Sequence, residues 1–256
     1  DYWIGNSGVT GVDASQMNIN ARKTRFNTTY KHGDVMAFIE LDFYGATGNE
    51  HTSNAHSPRI RHAFIKYDDW LMGQTWTTFM NTSAIPEAAD FAGPLVGEVF
   101  IRQGQIRYTN GGLQLSVEAP ETFGGDKTND NIPDFVARYN FKGDWGNVSI
   151  SGLVRSIEPD GISKTSTGFS VAGRLKASGK DDFRFQLHKG ELGRYVGGVF
   201  TTDIVGAELE DTTAYSAGYR HFWNSDTRST VFYGHAEGDV ADTDRTHWGV
   251  NVFKSL

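Results

Sequence analysis

The stretch Asp134-Phe135-Val136-Ala137-Arg138-Tyr139-Asn140-Phe141-Lys142-Gly143-Asp144-Trp145-Gly146-Asn147-Val148-Ser149-Ile150-Ser151-Gly152-Leu153-Val154-Arg155 alternates on both sides of one break. Phe135, Ala137, Tyr139 and Phe141 share one face of an extended chain; Val136, Arg138 and Asn140 share the other. Beyond the break at Lys142 to Gly146, Val148, Ile150 and Val154 oppose Ser149, Ser151 and Arg155. Successive side chains of a strand point to opposite faces, so this period of two predicts two strands joined as a hairpin. Each strand is apolar on one side and carries a charged or polar group at the centre of the other.

The same reading extends in both directions. In 34–44, Val35, Ala37, Ile39, Leu41 and Phe43 oppose Glu40 and Asp42; in 168–176, Phe169, Val171, Gly173 and Leu175 oppose Ser170, Ala172, Arg174 and Lys176; in 183–188, Phe183, Phe185 and Leu187 oppose Arg184, Gln186 and His188. Residues 213–222, 227–236 and 245–254 alternate less cleanly. The chain reads as about thirteen strands, the first over 14–30. Short turns are expected at Lys31-His32-Gly33, Asp68-Asp69, Asn110-Gly111-Gly112, Lys142 to Gly146, Ser178 to Asp181 and Trp223 to Asp226. Long connections are expected at 46–57, 80–98, 120–131, 157–166, 189–211 and 237–243. A soluble sandwich has no reason to alternate short and long connections. A transmembrane antiparallel β-barrel does, with short periplasmic turns and longer extracellular loops.

Strand number and side-chain chemistry favour the same all-β class. A soluble open sheet of thirteen strands should split or curl, and its buried faces would form one oily core. Here Arg, Lys, Glu and Gln at strand centres suit a water-filled lumen. Tyr30, Tyr67, Trp70, Tyr108, Trp145, Phe222, Trp223 and Trp248 stand near strand ends, where they would form interfacial girdles. No stretch approaches the roughly 18–20 apolar residues of a membrane-spanning helix, but barrel strands need only about 9–11 residues, apolar on one face. The phase of the alternation calls for one strand before Asp1, and closure of the sheet calls for two after Leu256. The expectation is therefore a single barrel domain over 1–256, incomplete at both ends, within a barrel of sixteen strands.

Composition narrows the partners. The 256 residues hold no cysteine, 30 glycines and a formal charge of −7. The acidic balance, with no basic run among aromatics, argues against nucleic acid. Most acids fall in the connections, whereas Arg138, Arg155, Arg174, Arg184, Arg220 and Arg228 fall on polar strand faces. The lumen should thus be positive although the chain is negative. One connection differs from the rest: 80–98, with Met80, Ile85, Pro86, Glu87, Asp90, Phe91 and Pro94, spaces apolar residues among two acids. A loop folded into the barrel needs such apolar contacts and a few charges aimed at the channel. Its neighbouring strands bring Arg22 and Arg25, Arg59 and Arg61, and Arg102 and Arg107.

Five segments carry a family resemblance. Ala21-Arg22-Lys23-Thr24-Arg25-Phe26, Arg61-His62-Ala63-Phe64, Gly73-Gln74-Thr75-Trp76-Thr77-Thr78-Phe79 and Ile101-Arg102-Gln103-Gly104-Gln105-Ile106-Arg107-Tyr108 resemble the DcaP-like branch of Gram-negative trimeric porins. Pro86-Glu87, Asp90-Phe91 and Gly93 resemble the porin constriction loop. The resemblance covers essentially the whole chain. It implies a sixteen-stranded outer-membrane barrel, a homotrimer, contact with lipid and lipopolysaccharide, and an inward-folded loop at 80–98. It also implies wall arginines, best matched by Arg25, Arg61 and Arg102 or Arg107, facing Glu87 and Asp90 across a constriction. Alternation favours Arg107 for the lumen, while position relative to the loop favours Arg102. Glu40, Asp42, Arg138, Arg174 and Arg184 would line the lumen wall. Such a pore would pass small anionic solutes, the resemblance implying dicarboxylates.

The rival classes find less support. An outer-membrane enzyme would need a catalytic set, yet the chain has no Gly-x-Ser-x-Gly motif and its eight histidines are dispersed without metal-ligand spacing. Asp239, Asp242 and Asp244 lie close together but lack an EF-hand pattern. Gly45 to Gly48 and Gly190 to Gly198 precede no helix that could cradle phosphate. No cofactor or metal is expected. A soluble β-rich carbohydrate-binding module is the other alternative, and a need for detergent would separate it from a porin.

Overall fold

A computed structural model describes residues 20–45, 48–49, 55–89, 93–124, 130–158, 163–196 and 202–255. Thirteen strands form one antiparallel sheet, each paired with the next in sequence. They are β1 Phe26–His32, β2 Val35–Asp42, β3 Arg59–Tyr67, β4 Trp70–Trp76, β5 Arg102–Asn110, β6 Leu113–Glu118 and β7 Asp134–Gly143. The rest are β8 Gly146–Ile157, β9 Lys164–Lys176, β10 Asp182–Gly190, β11 Thr212–Phe222, β12 Thr227–Gly238 and β13 Thr243–Lys254. Two short ribbons, Gly48–Asn49 with Ala55–His56 and Ile204–Val205 with Glu208–Leu209, stand in the connections. In such a meander every second connection lies at the same end of the sheet. The short turns therefore gather at one end and the long connections at the other.

Several boundaries differ from the sequence reading; Lys31 and His32, read as turn, close β1, and the connection expected over 80–98 runs over 77–101. The first strand begins at Phe26, not at 14: residues 20–25 are not strand, and 14–19 lie outside the described residues. The last long connection shrinks to 239–242, because β12 runs to Gly238 and β13 starts at Thr243. Polar runs such as Glu237-Gly238 read as loop, yet they continue the ladder, Glu237 opposite Asp244. Likewise β8 reaches Ile157 and β9 starts at Lys164, shortening the connection expected over 157–166.

The faces separate as the alternation predicts. Phe135, Tyr139, Phe169, Leu187, Val231, Val250 and Trp248 are exposed, the last at 70%. So are Tyr30, Tyr67, Trp70, Trp145 and Trp223, whereas Tyr108 and Phe222 are half-buried. An apolar surface of this extent calls for a cover of lipid or of protein. The opposite face holds Ser149, Ser151, Ser170, Gln186, Ser216 and Thr230, all buried. It also carries something the alternation did not foresee. Phe79, Met80, Val99, Val136, Leu153, Leu192, Tyr195 and Val196 form a buried apolar cluster on the inner side, so part of the interior is packed core.

Candidate functional site

The segment joining β4 to β5, residues 77–101, builds that core and lies against the polar face of the sheet. It leaves Trp76 with Thr78, whose backbone N–H donates to Glu118 Oε1 at 2.8 Å. The Met80 carbonyl then accepts from Arg138 on β7. Asn81 accepts from the Ser83 backbone N–H at 3.1 Å and so starts a single 3-10 turn, Thr82–Ala84. Its amide also donates to Ser149 Oγ at 2.9 Å and to the Ala172 carbonyl at 3.1 Å. Beyond the turn the Ile85 carbonyl accepts from Arg184, and Pro86 rests on Gly218. The Ala89 N–H donates to Asn251 Oδ1 at 2.9 Å, and the Pro94 carbonyl lies 2.6 Å from His247 Nδ1. Val96 then passes over Gly234, where a Cβ would lie 2.0 Å from the Val96 carbonyl oxygen. Glycine there admits the segment; any larger residue would push it off.

Two arginine clusters flank this segment. The first stands where β2, β3 and β5 meet the long connections. Arg59 grips Asp42 with Nε at 2.9 Å and Nη2 at 2.6 Å. Arg61 reaches Glu40 at 2.7 Å and Asp42 at 3.1 Å, and Arg25 lies 3.9 Å from Glu40. Glu40 pairs with His62 and Leu41 with Ile60, leaving Arg61 as the extra residue of a β-bulge. Such a bulge re-aims side chains, and here Arg61 and His62, adjacent in sequence, both turn inward. His62 Nδ1 lies 2.9 Å from Thr75 Oγ1. Arg102 stacks on Trp76, its guanidinium carbon 4.4 Å from the ring centroid, within the field of Arg61, Arg59 and Arg25.

The second cluster stands near the short-turn ends of β9 to β12. Asp182 takes Arg184 at 2.7 Å and Arg174 at 3.0 Å, and Arg220 as well. Glu87, carried in by the segment, takes Arg228 at 2.8 and 2.6 Å and Arg220 at 3.3 Å. The hydrogen bonds from Arg228, opposed by partial burial, hold the Glu87 carboxyl below the usual carboxylate range. Each cluster therefore gathers four guanidiniums about two carboxylates.

The predicted site residues thus separate. Arg25, Arg61 and Arg102 come together with Glu40 and Asp42. Glu87 contacts none of these; it pairs with Arg220 and Arg228, which the constriction expectation did not include. Arg107 stands on its own, donating through Nε to Gln105 Oε1 at 2.9 Å and through Nη2 to the Trp76 carbonyl. Asp90 lies outside the described residues. Arg138 holds the segment through Met80; Arg174 and Arg184 belong to the second cluster. The acids were also misplaced in part. Glu118 and Asp182, read as connection residues, are strand ends with inward, buried side chains.

A second connection enters the interior, which composition did not signal. Between β10 and β11, Leu192, Tyr195 and Val196 are buried, and Val196 pairs with Val99 across the segment. Arg155, 2% exposed, binds Asp203 of this connection at 2.6 Å and lies 3.3 Å from Asp134. Tyr195 donates to Asp134 at 2.7 Å and accepts from Gln103 at 2.7 Å. The buried arginine ties wall to connection, and the Phe100 N–H, donating to the Tyr195 carbonyl at 3.1 Å, joins the segment to both.

A family model described as DcaP outer membrane protein matches residues 6–236. The chain belongs to that family. Among solved structures, the outer membrane channel DcaP of Acinetobacter baumannii is similar with a TM-score of 0.78 at 24% identity, over 92% of this chain and 75% of that one. An anion-selective porin from Comamonas acidovorans is similar with a TM-score of 0.59 at 14% identity, over 93% of this chain and 76% of that one. Those likenesses carry the barrel fold. No curated protein sequence matches. The DcaP-family chain is accordingly a porin-type barrel of the Gram-negative outer membrane, and the exposed apolar face of its strands is the face turned to lipid.

Proposed function

We propose that this barrel is a passive, non-catalytic channel for small hydrophilic solutes that favours anions, dicarboxylates among them. The observation that carries the reading is the charge of the two clusters. Arg25, Arg59, Arg61 and Arg102 face Glu40 and Asp42, and Arg174, Arg184, Arg220 and Arg228 face Asp182 and Glu87. Four minus two leaves an excess of two positive charges in each. Guanidiniums stay charged at any working pH and present planar donor forks to carboxylates. Rings of Arg or Lys favour anions in pores, and low-dielectric walls focus the field. In this reading residues 80–98 form the constriction, narrowed between the side bearing Arg25, Arg61 and Arg102 and the side holding Glu87. The fold shared with an anion-selective porin from Comamonas acidovorans is in keeping with it. The working unit is a homotrimer set among lipid and lipopolysaccharide. Reversal potentials across a planar bilayer under a KCl gradient test the reading: chloride preference is expected, and potassium preference would overturn it.

A further inference from the structure

Glu87 sits where a solute carboxylate would sit. Both of its oxygens are held by one guanidinium, Arg228 Nε donating to Oε2 at 2.8 Å and Nη2 to Oε1 at 2.6 Å, with Arg220 Nη1 3.3 Å from Oε2. Two parallel N–H···O bonds are the geometry by which arginine recognises carboxylates in general. The neighbouring carboxylate, Asp182, differs in kind. It is the first residue of a strand, its side chain is 1% exposed, and it holds Arg174, Arg184 and Arg220 in place. Glu87 and Arg228 remain 24% and 25% exposed, so water and solutes reach both. Glu87 also arrives from a connection at the opposite end of the sheet, on a segment positioned independently by Asn81 on β8 and β9 and by Pro86 against Gly218. The fold of the segment therefore does not depend on this one ion pair.

We propose that Arg220 and Arg228 form a carboxylate-binding station of the pore, and that Glu87 is its tethered resident, displaced by each passing carboxylate. The inference rests on the anion-channel reading. A tethered ligand competes at an effective concentration of about millimolar or above, which weakens the hold on any solute. Conduction needs such sites, favourable enough to enter and weak enough to leave. Glu87 then sets dwell time, besides trimming the positive excess of its cluster by one charge.

Glutarate is a suitable probe, since each end repeats the glutamate side chain. Its block of single-channel KCl current is measured for the parent protein, for Glu87→Gln, and for Glu87→Gln combined with Arg228→Gln, which restores the parent net charge. Mobility of the unheated band on a gel verifies that each variant is folded. In Glu87→Gln the half-blocking glutarate concentration is expected to fall about tenfold, the worth of one good charge-assisted contact, with a much smaller change in chloride permeability. The double variant should lose that gain. If block is unchanged in Glu87→Gln, or rises by the same factor as chloride permeability, Glu87 is only a fixed charge and the proposal fails. That failure in a chloride-preferring channel leaves the channel reading intact; potassium preference would sink both.

Discussion

Glu98 is fully buried on the inner side of the barrel, between Gly97, whose Cα faces the Tyr215 carbonyl, and Val99 of the core. Burial pushes its carboxyl up to about 8, only partly opposed by Ser216 and the charge of Arg184. The folded state thus binds this proton more tightly than the unfolded chain, where the ordinary value is 4.5. The resulting stability is fully present below pH 4.5 and is lost as pH rises through about 8. Glu98→Gln should flatten the pH dependence of thermal unfolding between those values and leave the variant the more stable of the two above pH 8. A variant whose melting temperature follows the parent's slope would refute the assignment. Such a residue was not legible in the sequence. Alternation labels a face only inside a strand, and Glu98 lies in a connection whose burial comes from residues far along the chain. The arginines were legible for the opposite reason: Arg138, Arg174, Arg184, Arg220 and Arg228 each stand in a strand whose parity fixes their side.

The same contrast governs whole elements. Thirteen strands and the place of each short turn, to within a residue or two, follow from alternation and turn chemistry, because both are local. What the 77–101 segment touches is not local, so the pairing of Glu87 with Arg220 and Arg228 was not foreseen. The inward entry of the β10–β11 connection went unnoticed too, because Leu192, Tyr195 and Val196 look like ordinary loop residues until Arg155 and Val99 are brought beside them. Small residues on β11 and β12 held a usable signal. Ala214, Ser216, Gly218, Gly234 and Ala236 form an inward row, and this row is the bed on which the segment lies. A Cβ on Gly234 would collide with the Val96 backbone, and overpacking of this kind costs about 1–3 kcal/mol. Gly234→Ala should therefore lower unfolding stability by that amount and shift single-channel conductance as the segment moves. Gly152→Ala, on the outer face with nothing within 4 Å of the added carbon, should change neither. Equal behaviour of the two variants would argue against the bed.

At the scale of the molecule, net charge and local charge point in opposite directions. The chain carries −7 overall, yet each inner cluster carries more guanidiniums than carboxylates. Selectivity that arises from fields inside a water-filled passage weakens as ions screen them, the screening length falling from about 10 Å at 0.1 M to 3 Å at 1 M. For a fixed tenfold KCl gradient, the reversal potential should shrink toward zero as both sides are raised toward molar salt. A potential independent of salt would point to size exclusion or direct site binding in place of the field. Interior packing has a further consequence, for the order in which the barrel comes together. Gln103 and Tyr195 meet across 92 residues of chain, and Asn81 meets Ala172 across 91. Contacts of such long range are slow to form, because the chain between them must be ordered first. Hairpins zip early; the segment and the β10–β11 connection can lock only once β7 to β10 stand in register. An assembling barrel therefore passes through a stage with its walls in place and its interior still unfilled, and the inner packing is acquired last.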